Sequence, residues 1–328
     1  MIRLARRTLP LLAAGLAAPA FAQTYPDRPI TLVVPFLAGG STDIAARILA
    51  ERMSVKLGPQ ARIVVENRAG AGGSVGSEWV RHRPADGYTL LLASASALGT
   101  NPAALPQQTP YDPVEDFTQI AVIGGGPMVM VVPAASPFRS AKELLEAVKA
   151  APGKYTWATS GAGGIGHLTG EAIKSAYGGL RAEHVPYRGG SAVMEALAKG
   201  EVDYSLEVLA STAPHIRDGL SRGLAVSSLR RHKLFPEIPT LDEIGLTGFD
   251  ITTWNILVAP RGLPAALAEQ LAQAAGAVLA EPAAAERMTA AGVDPAAPGT
   301  PAGSRAFLVA EVAKFKGIVE KAGIRLGR

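Results

Sequence analysis

The chain has 328 residues, of which 48% are hydrophobic and 18% charged, a balance that excludes a disordered chain and leaves room for two domains with separate cores. Its 32 basic and 28 acidic residues give a formal net charge of +4, yet three of the basic ones, Arg3, Arg6 and Arg7, precede an apolar run at 9–18. Without that leader the balance is 29 against 28, which excludes a basic surface on the scale that nucleic acid requires.

In chain order, the basic start, the apolar run and the small-x-small pattern Ala20-Phe21-Ala22 read as a cleavable secretory signal over 1–22. The run is shorter than the roughly 20 residues of a membrane span, and Pro10 and Pro19 interrupt it. Adjacent Arg6 and Arg7 leave both the general and the twin-arginine export routes open. The chain has no cysteine, so it offers no lipid-attachment thiol, disulfide, thiolate metal site or cysteine nucleophile. The expected location is the periplasm.

Ile30–Val34 is an apolar, β-branched run suited to a strand buried on both faces, and Pro35 ends it. A loop on Gly39 and Gly40 follows. Ser41 or Thr42 is placed to N-cap a helix over 42–57, with Asp43 in its first turn and Ile44, Ile48 and Leu49 on its buried side. Glycines without a Cβ let free N–H groups at a helix start converge on one atom, which favours an anion. A plain tight connection between strand and helix uses the same glycines.

Gly58-Pro59 closes that helix, 62–66 reads as a strand, and 70–73 opens a helix holding Val75, Trp79 and Val80. After a turn at 84–87, residues 88–93 form a nearly pure apolar strand. A proline-spaced connection at 102–113 leads to a strand at 117–123. Gly124-Gly125-Gly126-Pro127 predicts a break and a first crossing between domains, before a strand at 128–132. Ser140 and Glu143 spell a capping box for a helix ending at Lys149.

Strand 154–159, helix 167–176, strand 183–187 and helix 192–199, capped by Ser191 and stopped by Gly200, continue the alternation. Strands at 202–207 and 224–228 are expected to complete a second parallel sheet, and 251–258 returns to the first. The tail is helical over Ala265–Leu279 and 304–321, the latter with Leu308, Val312, Phe315 and Val319 as a core stripe. The pattern predicts an α/β chain of two parallel-sheet lobes joined by two crossings. The first lobe comprises 23–124 and 250–328, the second 125–249, and ligand is expected in the cleft between them, beyond the carboxyl ends of the strands.

The counterpart of the first glycine loop is the run from Thr159 through Ser160, Gly161, Gly163, Gly164 and Gly166 to His167. Gly161 to Gly166 is a literal GxGxxG, with Glu183 22 residues beyond its first glycine, close to a dinucleotide fingerprint. That acid begins its strand, whereas a ribose-binding acid ends one, and export separates the chain from cytoplasmic nicotinamide cofactor. A second anion-accepting helix start is the better use of these glycines. No partner carboxylate or nucleophile stands at a telling spacing from His167, and the five histidines form no paired ligand motif, so neither a metal nor a cofactor is expected. Ser94 and Ser96 end a strand, where a hydroxyl can meet a ligand oxygen, and neither lies in a GxSxG elbow. Asp43 and Arg47, four apart, suit a helix-surface pair or a ligand role. Arg188, beside Tyr187 and Gly189, is either a carboxylate partner or simply exposed.

PFLAGGSTDIAAR, VENRAGAGGSVG, DGYTLLLAS, YDPVEDF, ATSGAGGIGHL, HVPYRGG, GEVDY, FPEIPTLDEIG and TWNILVAPRGLP stand in this order from Tyr25 to about Pro264. The ordered set resembles the tripartite tricarboxylate transporter substrate-binding family, also called Bug receptors. That resemblance implies a type II periplasmic binding protein, a Venus-flytrap that captures a small carboxylate and presents it to a membrane permease without catalysis. It implies that two glycine loops grip the carboxylate: Phe36, Ala38, Gly39, Gly40 and Asp43 in one lobe; Thr159, Ser160, Gly161, Gly163 and His167 in the other, with Tyr187 and Gly189 as wall. This chain departs from the family pattern at Gly164, where Ser or Thr is usual, at Glu207, where Asp is common, and at Ile256, where Gly is frequent. Ser94 and Glu207 complete the expected ligand surroundings. An exported hydrolase using Ser160 and His167, a dinucleotide-dependent protein, and a carboxylate sensor without a transporter are the alternatives. A monomer is the default expectation.

Overall fold

The structure, a computed structural model, describes residues 25–324; the signal segment expected at 1–22 lies outside them. β1 (Ile30–Val34) runs into α1 (Ser41–Leu57), then β2 (Ile63–Asn67). A single 3-10 turn, Ala71–Gly73, leads to α2 (Ser74–Arg81) and β3 (Thr89–Ser94). β1 lies between β2 and β3, parallel to both; the apolar β1 and β3 bury almost every side chain on both faces of the sheet, as in other parallel sheets, whereas the edge strand β2 buries none fully and leaves Val64 exposed. In α2 only Val80 of the three expected apolar residues is fully buried, and Val75 is exposed.

The proline-spaced connection is more ordered than its composition predicts. A π-helical turn, Ser96–Thr100, continues as α3 (Asn101–Ala104), and the buried Tyr111 ties the end of the connection back by donating to Ala97 O at 2.7 Å.

β4 (Phe117–Pro133) corrects the expected break at Gly124-Gly125-Gly126-Pro127: one strand of 17 residues runs straight through it. Its first part pairs antiparallel with residues 252–260 and its second part serves another sheet. The three glycines are needed because backbone passes close on both sides: a Cβ on Gly125 would lie 2.0 Å from Thr253 O, and one on Gly124 2.3 Å from Asp294 O. The partners that demand glycine are more than a hundred residues away in sequence.

α4 (Ala141–Ala150) starts at the expected capping box, with Ser140 Oγ accepting from Glu143 N–H at 3.2 Å and Glu143 Oε2 accepting from Arg139 N–H at 2.7 Å. β5 (Thr156–Thr159), α5 (Ile165–Ala176), β6 (Glu183–Pro186), α6 (Gly190–Ala198) and β7 (Tyr204–Val208) follow. α7 (Leu209–Arg217), which sequence reading missed because it contains Pro214, leads to β8 (Ser221–Val226). β9 (Thr252–Pro260) returns to the first sheet, and α8 (Ala265–Leu279), α9 (Pro282–Ala290), the two-residue β10 (Asp294–Pro295) and α10 (Pro301–Lys321) end the described chain.

The strand order is β2-β1-β3-β9-β4-β7-β5-β6, with β8 and β10 also on β4. Both sheets are mixed, which corrects the expectation of two parallel ones. β9 runs antiparallel to β3, and β4 runs antiparallel to β7 and β8, while β5 is parallel to β6 and β7. The reason is connectivity: β4 runs through both sheets, antiparallel to β9 in the first and to β7 and β8 in the second. One face of the first sheet packs on α1, α8 and α9. The other packs on α10, where Leu308, Val312 and Phe315 are buried and Val319 partly so. Ile165 and Leu168 of α5 join this second cluster, so the helix after the second glycine loop is seated against the first sheet's core.

Candidate functional site

Two turns of nearly the same backbone precede α1 and α5. Before α1, Gly39 has φ +87° and Gly40, the N-cap, has φ −79° and ψ 170°. Before α5, Gly163 has φ +78° and Gly164, the N-cap, has φ −70° and ψ 173°. A positive φ is resisted by residues with a Cβ, which accounts for glycine at 39 and 163. In each turn the first glycine donates its N–H to a side chain four residues on: Gly39 to Asp43 Oδ2 at 2.9 Å, and Gly163 to His167 Nδ1 at 3.1 Å.

The capping expectation at 41–42 is corrected. Gly40 holds the cap position and no side chain caps the helix; Thr42 Oγ1 donates instead to Asn255 Oδ1 at 2.8 Å. Likewise Gly189, with φ +100°, caps α6 in place of Ser191. The hydroxyls sit inside the helices, one or two residues too late to bond the first N–H groups. The helix starts therefore keep donors. Ser41, Thr42 and Asp43 N–H precede the first intrahelical bond, Ile44 N–H to Gly40 O at 3.0 Å, and meet no acceptor among the described residues. In α5 the Ile165 N–H donates to Ser96 Oγ at 3.1 Å, and those of Gly166 and His167 meet none. Orphan donors of this kind attract anions.

Asp43 is 2% exposed, with both oxygens occupied: Arg47 Nε and Nη2 donate at 2.9 and 3.0 Å and Asn67 Nδ2 at 2.9 Å. Burial opposes its charge, but the hydrogen bonds from Arg47, Gly39 and Asn67 win and hold the carboxyl below its ordinary range. Asn67 Nδ2 also donates to Phe36 O at 3.0 Å, so this network braces the loop. Asn67 carried no signal in the sequence, being one polar residue at a strand end.

The second loop is braced by aromatics. His167 stacks on His184 with centroids 3.9 Å apart, and the Trp157 ring lies tilted against His184 at 4.5 Å. Burial, helped by the Lys174 ammonium, pushes His167 down to about 4; burial and the neighbouring His167 push His184 down to about 3. Both rings are thus neutral near pH 7. Thr159 Oγ1 donates to Gly161 O at 3.1 Å and lies 2.7 Å from His184 Nε2, which therefore carries the proton between them. His184 was not singled out by its sequence, since it is one residue in a short strand.

The remaining candidates fall around these loops. Ala38 and Ser160 are exposed, and nothing lies within 4 Å of a Cβ built on Gly161. Phe36 packs where a Cβ on Gly73 would sit, 3.0 Å from its Cζ. Ser94 is buried and accepts Ser96 N–H at 3.2 Å. Gly189 N–H donates to Ser160 O at 3.2 Å, and Leu37 of the first loop comes within 4.0 Å of a Cβ built on Gly189. The Tyr187 hydroxyl is set against Glu201, ahead of β7, which raises its pKa after burial does. Arg188 is exposed. Thr100 Oγ1 donates to Gly163 O at 3.0 Å, joining the connection after β3 to the second loop.

Glu207, at the end of β7, is 1% exposed. Its Oε1 accepts Val208 N–H at 2.9 Å, while Oε2 is buried with no partner in hydrogen-bonding geometry. Burial pushes the carboxyl up to about 6, against Val208 N–H and the N–H and hydroxyl of Ser160, which favour the anion.

Glu183 starts β6 opposite Thr156, whereas the glycine loop follows Thr159 at the other end of β5, so that acid is remote from the GxGxxG. The third glycine turn, at 70–73, is filled from within: Asn101 Nδ2 donates to Ala71 O and Gly72 O at 2.9 and 3.2 Å and lies 3.0 Å from Ser74 Oγ. A groove between Pro102, Pro106, Tyr111, Val312 and Lys316 shares no residue with the loops. Among the described residues no group of three or more His, Cys, Asp or Glu is placed to hold a metal, and no helix is long and apolar enough to cross a membrane.

The family model described as tripartite tricarboxylate transporter family receptor matches residues 45–324. The chain belongs to that receptor family. BugT of Bordetella pertussis is 36% identical over 313 residues, 95% of each chain. Among solved structures, the periplasmic binding protein BugD superposes with a TM-score of 0.84 at 34% identity, covering 92% of this chain and 99% of the other. The R. palustris protein Rpa4515 with adipate superposes with a TM-score of 0.87 at 31% identity and the same coverage. The fold of this family member is accordingly the two-lobed periplasmic binding type, and the relatives are solute-binding receptors, at least one of them holding a carboxylate.

Proposed function

We propose that this chain is an exported receptor without catalytic activity, which takes a carboxylate of a small organic acid between the loops at 36–43 and 159–167 and presents it to a tripartite tricarboxylate-type permease. The observation that carries this reading is the matched pair of glycine turns. Each is braced through the first glycine of its pair, by Asp43 or His167, and each leaves helix-start N–H groups without a partner among the described residues. A carboxylate oxygen is the natural acceptor for such donors, and closure of lobes 23–124 with 250–328 over lobe 125–249 strengthens the bonds by excluding water. Neutral backbone donors allow release on reopening. The adipate held by the R. palustris relative supports the ligand class.

Phe36, Ala38, Gly39, Gly40, Ser94, Thr159, Ser160, Gly161, Gly163, Gly189 and Glu207 line or floor this site in our reading. Asp43 and His167 hold its loops, and Tyr187 bounds it. The hydrolase alternative needs a base on Ser160. The side chain set against Ser160 is Glu207, and His167 Nδ1 is taken by Gly163, so the arrangement favours binding over acyl transfer.

The test is thermal unfolding of the chain from Gln23, refolded to strip carried ligand, against a panel of carboxylates with NAD as control. At about 100-fold excess over Kd, a ligand adds roughly 2.7 kcal/mol, which at about 2–4 °C per kcal/mol is a shift of several degrees. A shift with one carboxylate class supports the receptor reading; a shift with NAD alone overturns it.

A further inference from the structure

Glu207 stands apart from the polar groups around it. Asp43 is matched by Arg47, and His167 and His184 are neutral. The groups set against Glu207 are the Val208 N–H and the N–H and hydroxyl of Ser160, none of them a cation, and among the described residues its buried Oε2 has no partner in hydrogen-bonding geometry. Its carboxyl carbon lies 3.5 Å from a Cβ built on Gly190, at the start of α6. Gly189, the preceding residue, has Leu37 of the first loop 4.0 Å from a Cβ built on it, and its N–H meets Ser160 O. Ser160 itself is exposed. An acid without a counter-ion therefore sits one residue beneath the surface that the second loop and α6 present to the first loop.

We propose that Glu207 is the specificity-determining residue of this receptor: it favours carboxylates that bring a hydroxyl or ammonium donor to the α6 side of the cleft and disfavours those that bring a second carboxylate there. The inference rests on the carboxylate-receptor reading above and narrows its ligand class. Unpaired buried acceptors reward a ligand donor, and two carboxylates close together in a water-poor site repel. The Glu207 side chain carries its charge away from β7 toward Ser160 and Gly190.

The experiment titrates the mature chain calorimetrically with ω-hydroxy acids, ω-amino acids and dicarboxylates of matched chain length, for the native protein, Glu207→Gln and Glu207→Asp. We expect the native protein to prefer a hydroxy or amino acid over the matched dicarboxylate at least tenfold. Glu207→Gln, which keeps the shape and removes the charge, should shrink that ratio tenfold or more, and Glu207→Asp should retain most of it. A native protein that prefers dicarboxylates overturns this inference and leaves the receptor reading standing. An equal fall in all affinities in Glu207→Gln overturns it too, since that is the signature of a residue that only supports Ser160. Absence of binding to every acid by folded native protein overturns the receptor reading and this inference together.

Discussion

Gly163 gives its N–H to Nδ1 of His167, 3.1 Å away, in the same step of four residues by which Gly39 gives its own to Asp43. A neutral ring in one loop and an ionised carboxylate in the other thus perform one task, holding a left-handed glycine so that the donors behind it stay free. Removing the ring in His167→Ala releases Gly163 and opens a gap beside His184. Carboxylate affinity should fall roughly tenfold, about 1.4 kcal/mol, measured by calorimetry at pH 7. Unchanged affinity would mean that the turn holds its own shape.

Asp43→Ala is expected to destabilise more than any other loop substitution. It leaves Gly39 N–H and Asn67 Nδ2 without their acceptor, and each buried donor so orphaned costs about 1–3 kcal/mol. Arg47→Ala should cost about 1 kcal/mol or less, because its guanidinium is more than half exposed. Urea unfolding of both variants checks the ordering, and equal losses would show that the carboxylate has no role beyond the ion pair.

Stability should decline as pH falls below 6.5. His167 and His184 titrate near 4 and 3 in the folded protein, so between those values and 6.5 the unfolded chain takes up protons that the folded chain refuses. The loss begins at the unfolded value and is complete for each ring once pH has passed its folded value. Glu207 acts with the opposite sign. Its folded value is raised to about 6 from 4.5, so its contribution is fully present below 4.5 and disappears as pH rises through 6. The denaturation midpoint of His167→Gln should therefore fall less between pH 6.5 and 4 than that of the native chain, and that of Glu207→Gln should fall more.

Two glycines separate binding from folding. Gly40 has a negative φ, and the nearest atom to a Cβ there is Leu37 O at 3.8 Å. Gly40→Val should fold with little change in Tm and lose ligand-induced stabilisation, because its side chain crowds the donors. Gly125→Ala drives a Cβ to 2.0 Å from the backbone oxygen of Thr253, and should destabilise by about 3 kcal/mol through strain at the point where β4 and β9 pass. A calorimetric scan of each variant with and without ligand distinguishes the two outcomes. Full ligand response in Gly40→Val would remove the first helix start from the site.

Sequence alone determined the repeated unit of strand, glycine loop and helix, the capping box at Ser140 and Glu143, the bounds of α8, and the apolar face of α10. Each depends on residues within a turn or two of one another, where backbone propensity and periodicity act. The tertiary structure alone decided how the glycines are used. Gly124, Gly125 and Gly126 read as a break because three glycines weaken a strand locally, yet Thr253 and Asp294 approach them there and the strand runs on. Asp43 and Arg47 read equally well as a surface pair or as ligand groups until Asn67 and Gly39 closed the network on the buried carboxylate. Nothing near His184 in sequence announced its stack with His167 or its contact with Trp157, and nothing near Glu207 announced an acid buried without a counter-ion. Burial and hydrogen-bond satisfaction are settled between segments far apart in the chain, so a local pattern names the residues present and the packing determines what each is bonded to.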